Sequence, residues 1–354
     1  MKAIFLYMEL ADYSMMCFKR HLELYPEDEI HVIHYPINEE APFAFEQVHN
    51  LFLYRKDQTD TADMWEIFDR IKPDVVLCSG WNDAFYNKFV KAVKKLVPVV
   101  LCFDNIFRYT LKQMVGLPVA RMLFKGVYSG VWVPGEKQKE FARLLGFKNT
   151  KIFTGFYSTD NQNFNKMYLT SQSVKAANFP KRMLCVARYI PQKGLEMLWK
   201  TFAELCEEEN AGWELWCAGT GEDFSSRMIH PSIQHLGFVQ PKEFDKLVEQ
   251  CGVFVLPSLF EPWGVVVNEF AAAGMPLLLS DKVGSASTYL KDGINGWSFE
   301  AGNKSSLKQK LKEAMNTSTE KLLEMGEWSN KLGLENSAER WSETLIQLSK
   351  LGKQ

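Results

Sequence analysis

Short apolar runs alternate with helical stretches along this chain, and they do so in two successive series. In the first half the runs are AIFLYMEL, EIHVIHYP, NLFLYR, DVVLCSG, VPVVLCFD and GVYSGVWVPG, each bounded by turn residues. Stretches such as TADMWEIFDRI and AFYNKFVKAVKKL separate several of them. Such alternation predicts a parallel sheet with helices on both faces. A polar, weakly periodic segment from Ser158 to Phe179 then breaks the rhythm and reads as an interdomain linker. A second α/β series runs from Arg182 to about Phe299, and helices follow to the end. With 354 residues there is chain enough for two domains, each burying its own core.

Several function classes drop out on composition. A net charge of −2 and a pI of about 6.4 give no global electrostatic case for nucleic acid. No run approaches the roughly 18 uncharged apolar residues of a membrane span. MKAIFLYMEL reads as a first core strand, without the small-residue cleavage site of a signal peptide. The seven cysteines are scattered, with Cys78, Cys102, Cys185 and Cys217 inside strand-like runs and no Cys-x-x-Cys pair. Reduced, buried thiols in a cytoplasmic protein account for them most simply. The six histidines show no metal spacing, and His31 and His34 read as strand residues.

Open parallel sheets bind ligands beyond the carboxyl ends of their strands, so strand-end residues become candidates. The run GVFVLP leads into SLFEPWGVVVNEFAAAG, where Glu261 and Glu269 flank a Pro262-Trp263-Gly264 turn. Pro262 suits the first turn of a helix, where a missing N–H costs nothing, and Gly264 leaves the backbone open to a ligand. From Val265 the segment reads as a buried helix ending at Gly274. A strand that meets a helix N-terminus presents free N–H groups and a positive dipole end, which is an anion site. Eight residues of helix climb about 12 Å, comparable to a ribose-diphosphate-sugar chain. Arg188 ends another strand, and Lys193 stands where the next helix begins. The dipole disfavours a lysine there, and an anion between Lys193 and Arg188 would resolve the conflict. Two acids beside a buried strand–helix unit, or a lysine opening a helix, are each commonplace alone. Together they favour a site.

The E-P-W-G-V-V-V-N-E core resembles the E-x7-E signature of retaining glycosyltransferases with the GT-B fold, family 4 in particular, with Trp263 where an aromatic is expected. MLCVARYIPQKGL looks like that family's strand–Arg–loop–Lys–Gly segment, and WELWCAGTGED and IQHLGFVQPKEFDKLVEQC follow in the expected order. The likeness covers Lys181 to Phe299 well and the N-terminal half only loosely. It implies two Rossmann-like domains with parallel sheets facing a central cleft. An acceptor-binding domain would span 1–165, joined by a crossover helix at 335–354, and a nucleotide-sugar-binding domain 166–334. By the same resemblance Arg188 and Lys193 hold the donor diphosphate, Glu261 the sugar ring, and Glu269 the ribose or neighbouring donor groups. Pro262, Trp263, Gly264 and Val265 lie beside the donor. Gly219 and Gly221, in a Gly-x-Gly turn that alone is only a turn, fall near the nucleotide, and Phe238 and Val239 meet the base through backbone groups. No Asp-x-Asp motif exists to hold a metal–diphosphate, so neither metal nor cofactor is expected, the nucleotide sugar entering as substrate.

The first domain departs from the family pattern. A Gly-Gly loop is replaced by MELADYSMM, and histidine positions by Ser79-Gly80-Trp81-Asn82-Asp83 and Phe103-Asp104-Asn105. Asp104 is a candidate to orient or accept the acceptor hydroxyl, with capping of the next segment as an equal alternative; Asp83 reads as a helix cap. Charge is segregated here. Residues 1–87 hold 7 Lys/Arg against 16 Asp/Glu, a balance of −9, and residues 88–151 hold 13 against 3, a balance of +10. In FRYTLKQMVGLPVARMLFK, residues 107–125, Phe107, Leu111, Met114, Leu123 and Phe124 interleave with Arg108, Lys112, Arg121 and Lys125. That suits either peripheral contact with the anionic inner face of a membrane or a solvated face over an ordinary core.

The resemblance therefore implies transfer of a sugar, with retention, from a nucleotide-diphosphate sugar to a hydroxyl of a glycan or lipid-linked acceptor in cell-surface polysaccharide or lipopolysaccharide synthesis. A nucleotide-sugar epimerase, or an inactive nucleotide-sugar-binding subunit of a polysaccharide assembly complex, stands as the alternative.

Overall fold

The computed structural model describes residues 1–37, 45–209 and 212–353. The chain divides into two compact units, Met1–Thr159 with Ser337–Gln354, and Asp160–Asn336. The first carries, in order, β1 (Lys2–Tyr7), α1 (Asp12–Leu24), β2 (Glu29–His34), β3 (Leu51–Arg55), α2 (Thr61–Ile71), β4 (Val75–Cys78), α3 (Ala84–Val93), β5 (Val99–Cys102), α4 (Leu111–Phe124), β6 (Gly130–Trp132), α5 (Glu136–Leu144) and β7 (Ile152–Phe153). Among the described residues its strands are ordered β3-β2-β1-β4-β5-β6-β7, and each of these pairings is parallel. The central strands β4 and β5 both read VVLC and are buried at every position, as a sheet covered on both faces requires.

The second unit carries α6 (Asn161–Ala177), β8 (Arg182–Val186), α7 (Leu195–Glu209), β9 (Glu214–Ala218), β10 (Ile233–Gly237), α8 (Phe244–Gln250), β11 (Val253–Leu256), α9 (Val265–Ala272), β12 (Leu277–Ser280), α10 (Ala286–Tyr289), β13 (Gly296–Phe299), α11 (Lys304–Met315) and α12 (Thr319–Leu334). Its parallel sheet is ordered β10-β9-β8-β11-β12-β13. Each sheet reverses direction of growth once, between β1 and β4 and between β8 and β11. Such switch points open a crevice at the strand ends.

The last helix, α13 (Ala338–Ser349), belongs to the first unit. Trp341 inserts among Phe5, Phe18 and Trp132, with ring centroids 6.0, 5.8 and 5.0 Å away, and its indole N–H donates to the Phe156 carbonyl at 2.9 Å. This helix thus completes one face of the first sheet.

The segment read as a linker is α6. Asp160 caps it by accepting from the Asn163 N–H at 3.1 Å, and the second unit begins there, ahead of the expected boundary at 165/166. Its buried face is Asn161, Phe164, Met167, Ser171 and Lys175, spaced as a helix requires. Three polar residues on that face hide its period from hydrophobicity alone. Among the described residues, no helix is long and apolar enough to cross a membrane.

Candidate functional site

The loops that follow β8 and β11 meet at the switch point of the second sheet. After β8, the Ala187 N–H donates to the Ala218 carbonyl at 3.0 Å and the Tyr189 N–H to the Thr220 carbonyl at 2.8 Å. The Gly-x-Gly turn permits this approach. At Gly219, with φ +135°, a Cβ would stand 1.9 Å from the Ala187 carbonyl oxygen, and at Gly221 one would stand 2.6 Å from that of Tyr189. Gly219 in turn donates to the Gly237 carbonyl at 2.7 Å, which ties in the Phe238–Val239 loop. Tyr189 is buried, its hydroxyl paired with His235 Nδ1 at 2.8 Å. Arg188 is therefore an exposed cation between two anchored neighbours, and it makes no ion pair among the described residues.

Lys193 closes a single 3₁₀ turn, Pro191–Lys193, two residues before α7 starts. Gly194, at φ +66°, lets that turn pack on the end of β11, for a Cβ there would lie 2.5 Å from the Pro257 carbonyl oxygen. Gln192 joins the two loops: its carbonyl accepts from the Leu259 N–H at 2.8 Å, and its side-chain amide donates to the Phe260 carbonyl at 2.7 Å. The Lys193 ammonium consequently ion-pairs with the Glu261 carboxylate, the two side chains being 12% and 11% exposed. The lysine thus meets a protein carboxylate, not the open anion site between Lys193 and Arg188 that the dipole argument suggested. Ser258 Oγ donates to Glu261 Oε2 at 3.4 Å.

A third loop, after β12, fixes the turn from its other side. The Glu261 N–H donates to the Lys282 carbonyl at 3.1 Å, the Gly284 N–H to the Glu261 carbonyl at 2.9 Å, and the Ser285 N–H to the Trp263 carbonyl at 2.9 Å. Ser285 Oγ donates to the Gly264 carbonyl at 3.1 Å. A Cβ on Gly284 would fall 1.9 Å from the Pro262 carbonyl oxygen. Gly284 and Ser285 escape the sequence reading, although the strand-end rule that selects Glu261 applies equally to the loop after LLLS.

Two expectations need correcting. Pro262 lies before the helix, not in its first turn. Gly264, at φ +86°, is the N-cap of α9, and Val265 is its first residue. The step from Glu261 to Glu269 is thus a turn followed by one helical turn, not an eight-residue helical climb. Trp263 is buried, its ring edge-on to Tyr289 at 6.2 Å, so it anchors the turn without presenting a surface. Glu269 is half-buried on α9. That helix is clamped by α12: Asn268 donates to the Gly333 carbonyl at 2.8 Å, and a Cβ on Gly333 would be 2.2 Å from the Ala272 nitrogen.

In the first unit Asp104 follows β5 and is half-buried, its carbonyl accepting from the Gln138 side chain at 3.1 Å. Burial first, and then Asp104, raises the pKa of the Tyr157 phenol; burial, Glu9 and Asp104 do the same at Tyr13. Thr110 caps α4. Asp83 does cap α3, accepting from the Tyr86 N–H at 2.7 Å while paired with Lys56 at 3.1 Å.

Residues 170–331 match the family model described as glycosyl transferases group 1. An uncharacterized glycosyltransferase of Methanocaldococcus jannaschii is 33% identical over 132 residues, which is 35% of this chain and 33% of that protein. The N,N'-diacetylbacillosaminyl-diphospho-undecaprenol alpha-1,3-N-acetylgalactosaminyltransferase of Campylobacter jejuni is 25% identical over 219 residues, 59% of this chain and 56% of that protein. The chain thus spans only a third to just over half the length of these curated relatives. The crystal structure of Anabaena HepE in complex with UDP and glucose superposes with a TM-score of 0.71 over 98% of both chains at 15% identity, a likeness of fold. The chain accordingly has the GT-B fold, and its residues 170–331, which include Arg188, Lys193 and Glu261, match the glycosyl transferases group 1 family model.

Proposed function

We propose that the protein is a retaining glycosyltransferase that moves a sugar from a nucleotide-diphosphate sugar to a hydroxyl, without metal or cofactor. The observation that carries this reading is the Lys193–Glu261 ion pair at the β8/β11 switch point, with the exposed Arg188 on the same loop as Lys193, inside the stretch that matches the family model. The diphosphate gains negative charge as the glycosidic bond breaks, so stabilising that leaving group dominates the barrier. Arg188 is the exposed cation for this task, the first amides of α9 assist it, and Lys193 holds Glu261 while adding its own charge. Glu261 positions the sugar ring, and Glu269 the ribose or its neighbours. Pro262, Gly264 and Val265 shape the wall, with Gly219, Gly221, Phe238 and Val239 toward the base. A same-face route, in which the departing phosphate takes the acceptor proton, needs no protein nucleophile. Asp104 orients the acceptor hydroxyl.

The acceptor in this reading is a glycan or lipid-linked sugar in cell-surface polysaccharide synthesis, handled on the cytoplasmic side. Support comes from the Campylobacter relative, whose name specifies a diphospho-undecaprenol acceptor. A thermal-shift and turnover screen against UDP, GDP and ADP sugars tests the proposal. One class should stabilise the protein and be cleaved to nucleoside diphosphate. Absence of binding across the whole panel would refute it.

A further inference from the structure

Helix α4 turns its apolar side to solvent. Of its fourteen residues only Phe124 is buried. Leu111, Met114, Val115, Val119, Met122 and Leu123 are 49–81% exposed. An ordinary surface helix does the reverse, with its polar face in water. At about 100° per residue, Leu111, Met122 and Val115 fall within roughly 40° of one another, and Met114 and Val119 widen the stripe on its two sides. Arg121 borders the stripe beyond Met114, and Lys112 borders it beyond Val119.

The stripe does nothing for the core of its own unit. The inward edge is Gln113, Leu117, Ala120 and Phe124. Phe124 packs on Trp81 and Tyr128, with centroids 5.3 and 5.5 Å away, and Leu117 and Ala120 rest on the same cluster. Gln113 holds the entry to the helix, accepting from the Arg108 N–H at 2.6 Å and donating to the Ile106 carbonyl at 2.9 Å. Phe107 and Phe124, the aromatics interleaved with these cations in the sequence, pack inward, and Val115, Val119 and Met122 face out. Tyr109, 76% exposed, stands at the head of the stripe.

Contiguous exposed apolar surface of this kind marks a docking site, and charge selects its occupant. From Asn105 to Gly135 the chain has Arg108, Lys112, Arg121 and Lys125 and no Asp or Glu. Pairing α4 with the same helix of a second copy would set these cations against their own kind. An anionic bilayer meets both features at once, with apolar side chains at the acyl boundary, cations among the phosphates and a tyrosine at the interface. We propose that α4 is an interfacial anchor, laying Leu111, Val115 and Met122 into an anionic membrane surface while Arg108, Lys112, Arg121 and Lys125 meet lipid phosphates. This goes beyond the transfer reaction and stands whether or not that reading holds.

The test is co-sedimentation of the full chain with vesicles of phosphatidylcholine alone or with about 30 mol% phosphatidylglycerol. Wild type should pellet with the anionic vesicles, at least about tenfold more than with the neutral ones, and release in high salt. L111S/V115S/M122S and R108Q/K112Q/R121Q/K125Q should each lower anionic-vesicle binding about tenfold or more, with circular dichroism and nucleotide-sugar binding unchanged. Equal pelleting of wild type and the serine variant overturns the proposal. So does a wild-type dimer that the serine variant makes monomeric while neither binds vesicles, or capture of an acidic protein with no affinity for lipid. An R188A protein that loses donor binding yet still pellets separates this site from the one on the other unit.

Discussion

Lys193, in the loop after β8, is ion-paired with Glu261, in the loop after β11, and both side chains are almost entirely shielded from water. The pair joins the two strands that flank the switch point, so it is structural as well as chemical. Removing one member of a buried pair leaves the other charge uncompensated, at a cost of about 3–5 kcal/mol. Lys193→Ala and Glu261→Ala should each lower unfolding stability by that order. The double variant Lys193→Met/Glu261→Leu should recover most of the loss without recovering donor turnover. Urea denaturation of the four proteins checks this. Additive losses in the double variant would show that the two charges do not depend on each other.

Arg188 should behave differently, because it is exposed and its backbone neighbours are held by the Gly-x-Gly turn. Arg188→Ala should leave stability within about 0.5 kcal/mol and reduce turnover about 10²–10³-fold, as loss of one preorganised charge does. Steady-state kinetics beside a denaturation curve measures both. Near-normal turnover would remove Arg188 from the leaving-group role.

Gly284 tests whether the third loop sets the site. An added Cβ would lie 1.9 Å from the backbone oxygen of Pro262, and neither atom belongs to a flexible side chain. Gly284→Ala should displace the Glu261–Gly264 turn, costing about 1–3 kcal/mol of stability and weakening nucleotide-sugar binding. Gly116→Ala, where nothing lies within 4 Å of the new Cβ, is the control and should be neutral or slightly stabilising. Unaltered binding in the Gly284 variant would mean the loop is incidental.

Lys175 gives a pH signature. It lies on the buried face of α6 against a cavity of about 110 Å³ also lined by Tyr168, Phe179 and Leu322. Burial lowers its pKa from 10.5 to about 8, with the nearby Cys251 thiol opposing weakly. The unfolded chain therefore binds more protons between those two values, and the group's contribution to stability rises with pH across that window. Below about pH 8 the whole penalty is present, roughly 3 kcal/mol. Lys175→Met should stabilise the protein by roughly 2–3 kcal/mol at pH 7 and by much less near pH 10. A variant-to-wild-type difference that stays flat with pH would contradict the assignment.

The sheets were legible because β4, β5, β8 and β11 are apolar at nearly every position, as strands buried on both faces must be. Glu261 and Arg188 were legible because both stand just past such strands. The partnership of Lys193 with Glu261 was not, since it depends on Gln192 and Gly194 docking one loop on another, contacts between residues far apart in sequence. Nor was α6 legible, where Ser171 and Lys175 occupy core positions. On α4 the sequence shows cations interleaved with apolar residues, but which apolar residues face outward follows only from where Phe124 and Leu117 find their neighbours.

The proposed sugar transfer with retention, at Arg188 and the Lys193–Glu261 pair, can be followed at its first product. The nucleotide sugar selected by the screen is incubated with wild type and with Arg188→Ala in excess chelator, and the first product is observed by proton NMR before its anomers equilibrate. Wild type should release nucleoside diphosphate together with a sugar, free or transferred, whose anomeric configuration matches the donor, and the variant should do so about 10²–10³ times more slowly. Inverted product, an epimerised donor with no nucleoside diphosphate, or cleavage that only added Mg²⁺ or Mn²⁺ restores would contradict it.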